Sequence, residues 1–282
     1  MKNYIIKTAH KTATNSHCPT FLKNVLSFTL KTRQYALIAF CGKRYKPNHN
    51  RVEIDITYSC NVKCPHCNRS CTQAESNECM SIGQLKKFID ESIENDKKWE
   101  RIRLTGGEPL LHPQIGEIIE QLLLYKKNFS PRTLIQLVTS GFGVDINDAL
   151  SRVQDSIDIL NTKKADMPKN FVYFNNAPVD SVAAKDTDYS KGCTVTRFCG
   201  IGLTKYGYYP CAVAGGIDRI FGFDVGLKNM PVAGDSMAAQ LRALCRYCGH
   251  FDGIKQAKEA VSCSWKLAYE KYAKEKPSLS LY

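Results

Sequence analysis

The sequence predicts an α/β protein, in which a parallel sheet with alternating helices is followed by a small cysteine-rich domain of a β-hairpin plus a helix. Three observations predict this fold. Between residues 52 and 160, segments in which apolar and polar residues alternate, as in a strand, are separated by segments in which apolar residues recur at helical spacing. The two loops that carry unusual residues each follow a predicted strand directly. From about residue 190 the alternation stops, and a hairpin flanked by cysteines begins.

The elements of the sheet follow one another along the chain. Val52 to Tyr58 alternates apolar and polar residues, as a half-buried strand does. Ser81 begins the next helix with a capping-box pattern, and Met80 and Leu85 are spaced to form its hydrophobic staple. The remaining elements are predicted strands at 102–104, 134–138, 157–160 and 171–174 and helices at 115–123 and 146–153. In such a sheet, functional loops lie at the carboxyl ends of the strands.

The composition excludes several classes of protein. The chain has 282 residues, of which 43% are hydrophobic and 23% charged, as in an ordinary globular protein. No apolar run reaches the roughly 18 residues of a membrane helix, and the N-terminus lacks the apolar core of a secretory signal. We therefore expect a cytoplasmic protein whose 13 cysteines bind metal rather than form disulfides.

The positive charge is concentrated in an N-terminal arm, residues 1–51. The formal net charge is +12, and the arm holds ten Lys or Arg and no acidic residue. Its apolar residues fall near helical spacing: Phe21, Leu22, Val25, Leu26 and Phe28. A basic amphipathic stretch of this kind fits an anionic membrane surface or a phosphate-rich partner, or it packs on the main domain as a solvated helix.

The first cysteine set is the strongest chemical signal in the sequence. Cys60, Cys64 and Cys67 follow the first strand in the spacing Cys-x3-Cys-x2-Cys. Thiolates select zinc or iron–sulfur clusters, and three ligands leave one iron of a four-iron cluster open. The second strand runs into a Gly-Gly-Glu-Pro loop at residues 106–109. There the glycines permit close backbone approach, proline stiffens the loop, and Glu108 can accept hydrogen bonds from an ammonium group.

These residues resemble the radical S-adenosylmethionine (SAM) superfamily, whose hallmark is this cysteine spacing after the first strand of a partial (β/α) barrel. The resemblance implies that residues 52–190 form such a barrel. It implies that Cys60, Cys64 and Cys67 hold a [4Fe-4S] cluster whose open iron is chelated by the amino and carboxylate groups of SAM. The SAM-binding residues that it implies are Gly106, Gly107, Glu108 and Pro109 in the loop for the methionine amino group, His66 beside the adenine, and Ser140 as a polar contact.

A second assignment of the first set stays open. Cys71 follows Cys67 after three residues, so the four cysteines together could close a zinc site or a fully ligated electron-transfer cluster. That assignment leaves the Gly-Gly-Glu-Pro loop at residues 106–109 without a role.

The second cysteine set resembles the twitch or SPASM extension found in part of the superfamily. There a cysteine, a glycine-containing hairpin that ends in cysteine, and a Cys-x2-Cys pair bind an auxiliary [4Fe-4S] cluster. The resemblance implies one such cluster in residues 191–282, with either Cys193 or Cys199 completing the site. The alternative is a zinc ribbon that includes Cys199. The members of the set are Cys193, Cys199, Cys211, Cys245 and Cys248.

The resemblance implies an oxidoreductase that cleaves SAM reductively to a 5′-deoxyadenosyl radical, which abstracts hydrogen from a substrate. We expect oxidation or epimerisation of a sugar or another small metabolite, with an electron donor such as flavodoxin or ferredoxin. Membrane-surface contact is expected only through the basic arm, and no nucleic-acid partner is expected. The alternatives are a maturase of a ribosomally made peptide or protein and, in another class, a zinc-dependent nucleic-acid-binding protein.

Overall fold

The computed structural model describes residues 44–164, 174–184, 187–251 and 261–282. The chain divides into two compact units, residues 1–44 and residues 45–282, and all the elements named below lie in the second unit. The predicted helical spacing of the basic arm and most of the predicted strand at 171–174 lie outside the described residues. Phe174, which is described, lies in a turn.

One six-stranded sheet has the order β4-β3-β2-β1-β5-β6. Neighbouring strands from β4 to β5 run parallel, and β6 returns antiparallel to β5. The first four strands alternate with helices along the chain, which confirms the predicted α/β class. The strands are β1 Arg51–Thr57, β2 Arg101–Gly106, β3 Leu134–Thr139, β4 Asp158–Asn161, β5 Ile201–Thr204 and β6 Gly207–Tyr209.

The predicted start of the first helix is confirmed. The hydroxyl of Ser81 accepts a hydrogen bond from the backbone of Gln84 (3.2 Å), and the Gln84 side chain accepts one in return from the backbone of Ser81 (3.0 Å). Met80 and Leu85 lie in one buried cluster, as the predicted staple requires. The described α-helices are α1 Ile82–Glu94, α2 Ile115–Asn128, α3 Val144–Val153, α4 Thr194–Phe198, α5 Ala212–Phe221, α6 Ala238–Leu244 and α7 Cys263–Lys274. Short 3-10 turns lie at Pro109–Leu111, Pro178–Asp180, Val182–Ala184, Tyr189–Lys191 and Cys245–Tyr247.

Among the residues that the structure describes, no helix combines the length and the apolar character that crossing a bilayer requires.

The two faces of the sheet differ in polarity because side chains alternate along each strand. On one face, apolar residues of β1, β2, β3 and β5 pack with residues of α1 and α2 into the main core. The opposite face, which we call the polar face, carries Glu53, Asp55, Arg103 and Thr105. Arg103 donates to Glu53 (2.7 Å), and Thr105 donates to Asp55 (2.7 Å). The side of the sheet away from α1 and α2 is therefore lined by paired polar groups.

The cysteine-rich hairpin joins the sheet directly. β5 pairs with the edge of β1 that β2 leaves open, with Val52 opposite Ile201. α5 then packs on β5, where a Cβ on Gly202 would lie 2.5 Å from Ala212. The two predicted domains thus share one sheet, and the predicted boundaries after residues 51 and 190 stay predictions.

Candidate active site and second cysteine site

The first cysteine loop leaves the carboxyl end of β1 and brings three thiols together. Cys64 is buried, and Cys60 and Cys67 are half-buried. Burial is the main cause that raises the pKa of the Cys64 thiol to about 11, and the neighbouring sulfurs of Cys67 and Cys60 raise it further. Thiolates held this close together repel one another, and a metal cluster relieves that repulsion because it supplies positive charge. The three thiols therefore fit the predicted [4Fe-4S] cluster.

Cys71 has a different position from the other three cysteines. Its thiol donates a hydrogen bond to the sulfur of Cys67, and this bond is the main cause that lowers the pKa of Cys67 to about 6. Cys71 itself is buried in an apolar cluster with Tyr58 and Tyr206. The geometry therefore favours Cys71 as a donor to a ligand sulfur, and not as a fourth ligand.

The two glycines of the Gly-Gly-Glu-Pro loop let it lie against the start of the cysteine loop. A Cβ on Gly107 would stand 2.2 Å from the carbonyl oxygen of Ser59, and one on Gly106 would stand 2.2 Å from that of Thr57. The backbone of Gly107 donates to Thr57 (2.7 Å), and that of Glu108 donates to Ser59 (2.8 Å). The glycines thus place the predicted SAM loop beside the cysteines.

Substitution of Gly107 by alanine is expected to destabilise the protein by about 1–3 kcal/mol, because the backbone of Ser59 must move to admit a methyl group. We also expect weaker SAM binding. Thermal unfolding and equilibrium SAM binding measure the two effects. Gly116→Ala is the matched control, since a Cβ there meets no described atom within 4 Å and alanine favours the helix. Equal stability of the two variants would contradict this role of Gly107.

The structure brings two of the predicted SAM residues, Glu108 and Ser140, into direct contact. The buried carboxylate of Glu108 accepts from the backbone of Ser140 (2.8 Å), the hydroxyl of Ser140 (2.6 Å) and the hydroxyl of Thr139 (2.8 Å). The backbone of Leu110 donates a longer bond of 3.3 Å to the same carboxylate. In this arrangement the Glu108 side chain joins the loops after β2 and β3, and its contact with an ammonium group stays a prediction.

His66 lies between Cys64 and Cys67 and is buried. Its Nδ1 lies 2.6 Å from the Oδ1 of Asn175, a hydrogen bond that fixes one side of the ring. Asn175 is itself fully buried. Nothing in the local sequence marks Asn175, because it stands 109 residues from its partner along the chain. The placement of His66 beside an adenine stays a prediction.

Lys164, which the sequence did not single out, lies near the first cysteine site. Burial raises the pKa of the Cys60 and Cys64 thiols, and the nearby Lys164 ammonium opposes that rise at both. The backbone of Lys164 donates to Ser140 (2.9 Å), which ties it to the loop after β3. Lys164 comes shortly after β4, so its position at the carboxyl edge of the sheet was the signal that could have identified it. Its charge suits an anionic group such as the carboxylate of SAM.

The second cysteine set forms a separate, buried site. Four cysteines line one cavity whose other lining residues are mostly apolar. Burial and the neighbouring thiols, Cys193 first and then Cys248, raise the pKa of Cys211 well above its usual value. The four are placed by helix ends and a turn: Cys193 caps α4, Cys211 caps α5, and Cys245 and Cys248 bound the turn after α6.

Cys199, the other candidate for this site, lies outside the cavity. Burial is the main cause that raises the pKa of its thiol to about 11, and the neighbouring Glu53 carboxylate adds to it. Of the three thiols that raise the pKa of Cys211, Cys193 contributes most and Cys199 least. The geometry therefore favours Cys193 over Cys199 as the fourth ligand, against the zinc ribbon that includes Cys199.

All eleven cysteines that the structure describes are free thiols. Within the same described residues, no three His, Cys, Asp or Glu side chains are grouped to chelate a single metal ion.

Comparison with known proteins finds a family match for the segment that contains the first cysteine site. Residues 54–163 match the model of the Radical SAM superfamily. The chain is 30% identical over 122 residues to a probable GTP 3′,8-cyclase of Methanococcus maripaludis, and the match covers 43% of this chain and 40% of the relative. It is 31% identical over 122 residues to a GTP 3′,8-cyclase of Aliarcobacter butzleri, covering 40% and 36%. The chain thus spans about two fifths of the length of these relatives.

Among solved structures, the chain is similar to BtrN in complex with AdoMet and 2-DOIA, with a TM-score of 0.44 and 14% identity over 77% of this chain and 98% of BtrN. The family match includes Cys60, Cys64, Cys67 and residues 106–109. It confirms the predicted partial (β/α) barrel class, and it supports the pair of cofactors typical of that family, a [4Fe-4S] cluster and SAM. It supports an enzyme rather than the alternative of a zinc-dependent nucleic-acid-binding protein. The similarity to the Radical SAM superfamily is thus carried by residues 54–163, the segment that holds the first cysteine loop and the Gly-Gly-Glu-Pro loop.

Proposed function

We propose that the protein is a radical SAM oxidoreductase that oxidises or epimerises a sugar or another polar small metabolite. The observation that carries the proposal is the position of Cys60, Cys64 and Cys67 at the carboxyl edge of a parallel sheet, inside the matched family domain. When bound there, a [4Fe-4S] cluster and SAM supply a 5′-deoxyadenosyl radical, the species that abstracts hydrogen from substrate.

The residues around these cysteines bind and orient SAM. Gly106 and Gly107 bring their loop against the cysteine loop, and Glu108 holds that loop to Ser140. The ammonium of Lys164 lies on the side of Cys60 and Cys64, where it favours an anionic group. The contacts of the glycine loop are made by backbone groups and by the buried Glu108 side chain, so this part of the site is organised before any ligand binds.

The polar face supports a polar substrate. The Arg69 guanidinium reaches it from the cysteine loop and bonds both Asp55 (3.2 Å) and Glu53 (3.3 Å). Arg103 continues the chain of hydrogen bonds to Gln136 of β3 (2.7 Å). A face lined by charged and amide groups suits a ligand with many hydroxyl groups better than an apolar one. The maturase alternative requires a peptide in the same place.

We assign one auxiliary [4Fe-4S] cluster to Cys193, Cys211, Cys245 and Cys248. Four buried thiols around one apolar cavity form a complete ligand set, and this dry environment suits a cluster that exchanges electrons with a substrate radical. We also propose that an electron donor such as flavodoxin or ferredoxin reduces the protein. Membrane contact, through the arm at residues 1–51, is a separate proposal.

Anaerobic reconstitution tests the proposal. The wild-type chain is expected to bind about eight iron and eight sulfide, as two four-iron clusters require, and to form 5′-deoxyadenosine from SAM with dithionite. The substrate panel comprises three groups of compounds: polyols and amino sugars, nucleotides, and short peptides. The nucleotides include GTP because the cyclase relatives are named for it. A sugar-like compound that increases 5′-deoxyadenosine formation supports the proposal, whereas a response to peptides alone favours the maturase. Colourless protein with stoichiometric zinc would contradict the proposal.

A further inference from the structure

Arg219 of α5 places a positive charge directly behind the first cysteine loop. It is only 2% exposed. Its guanidinium donates to the carbonyl oxygens of Arg69 (2.9 Å), Ser70 (3.2 Å) and Ala74 (3.1 Å). These three carbonyls belong to the segment that follows Cys67, so Arg219 holds the end of the loop in place.

The charge of Arg219 has no carboxylate partner within 4 Å among the described residues. Its described neighbours are aromatic: it lies 4.4 Å from the ring centre of Tyr58, and it donates to the hydroxyl of Tyr272 (2.8 Å). Arg69, by contrast, is paired with Asp55 and Glu53. A buried charge without a counter-ion is costly, and a nearby negative group removes that cost.

The negative group that Arg219 faces is the first cysteine site. Tyr58, whose ring faces the guanidinium, lies in one buried cluster with Cys71, and Cys60 and Cys67 pack against that cluster. A cluster held by three thiolates is anionic, and it becomes more negative when reduced. A fixed buried cation therefore favours the reduced form and raises the reduction potential, because net charge is one of the factors that set this potential.

The helix that carries Arg219 also connects the two cysteine sites. Cys211 of the second site caps the first turn of α5, and Arg219 lies two turns later. Between them, Gly216 lets the helix approach the first loop, since a Cβ there would stand 2.9 Å from the carbonyl oxygen of Asn68. The charge is thus fixed by a helix that is anchored at the second site.

We propose that Arg219 is a positioning residue that raises the reduction potential of the cluster at Cys60, Cys64 and Cys67 through its uncompensated buried charge. This inference rests on the proposed function, because it requires that cluster.

The test compares reduction potentials in the reconstituted full-length chain. The signal followed is the electron paramagnetic resonance signal that changes when SAM is added, which distinguishes the first cluster from the second. Arg219→Gln is expected to lower the reduced-to-oxidised ratio at a fixed potential at least tenfold, which is about 59 mV for one electron. Arg219→Lys, which keeps the charge, is expected to stay near the wild-type potential. Arg242→Gln, on the exposed side of α6, is the matched control.

A second pair of variants keeps Arg219 and its three carbonyl bonds. Tyr272→Glu places a carboxylate beside the guanidinium, and Tyr272→Gln is its neutral match. The Glu variant is expected to have the lower reduction potential of the two, so that its reduced-to-oxidised ratio at a fixed potential is at least tenfold smaller. Equal potentials in this pair, or equal shifts in Arg219→Gln and Arg219→Lys, would overturn the inference. A wild-type chain without any SAM-sensitive signal would instead refute the proposed function.

Discussion

Cys64→Ala is expected to abolish cluster binding at the first site, whereas Cys71→Ala is expected to retain it. Cys64 is one of three thiols that act on one another electrostatically, so its loss leaves two ligands for the cluster. Cys71 contributes a hydrogen bond to Cys67, and its loss leaves all three proposed ligands in place. The difference between the two variants is about four iron and four sulfide per chain after anaerobic reconstitution.

The second cluster serves as an internal control in this comparison. Both variants are expected to retain the iron of Cys193, Cys211, Cys245 and Cys248, so a chain that loses all iron has lost more than the first site. Loss of the first-site metal in Cys71→Ala as well as in Cys64→Ala would support the four-cysteine zinc or electron-transfer assignment. Metal analysis for zinc in the same samples separates those two alternatives.

Cys193→Ala is expected to remove the auxiliary cluster, and Cys199→Ala is expected to spare it. The reason is their placement, since Cys193 lines the cavity with the three downstream cysteines and Cys199 lies beside Glu53. The measurement is cleanest in a chain whose Cys60, Cys64 and Cys67 are alanine, because the remaining iron then reports on the second site alone. There we expect about four iron per chain for Cys199→Ala and close to none for Cys193→Ala.

Two outcomes would contradict this assignment. Loss of iron in Cys199→Ala alone would show that Cys199 is a ligand. One zinc per chain, retained in Cys193→Ala and lost in Cys199→Ala, would support the zinc ribbon. Far-ultraviolet circular dichroism of both variants checks that the fold survives, since both cysteines flank the short helix α4.

Most of the sheet could be predicted because its signals are local. The alternation in β1 and the capping box at Ser81 each depend on residues within a few positions of one another. The position of the hairpin at the edge of the main sheet was not predicted, because the sequence of its strands is equally compatible with a separate domain. Pairing of β5 with the edge of β1 is a contact over some 150 residues of chain, and no local pattern specifies it.

The same distinction holds for the second cysteine site. Cys193 and Cys199 stand at opposite ends of α4, so about 9 Å of helical rise separates them. The sequence spacing from each of them to Cys211 is compatible with a hairpin, so spacing alone did not decide which one completes the second site. In the structure Cys193, and not Cys199, lines the cavity with the other three thiols.

The amino-acid order alone was enough to identify the three-thiol loop, the glycine loop and their place after successive strands, because a short covalent segment limits how far apart its own side chains can lie. Tertiary packing chose the partners that come from afar: Ser140 for Glu108, Asn175 for His66, Lys164 beside Cys60, and Arg219 behind the first loop. Those pairings arise from strand register and helix docking, which sum many weak contacts spread over the whole chain.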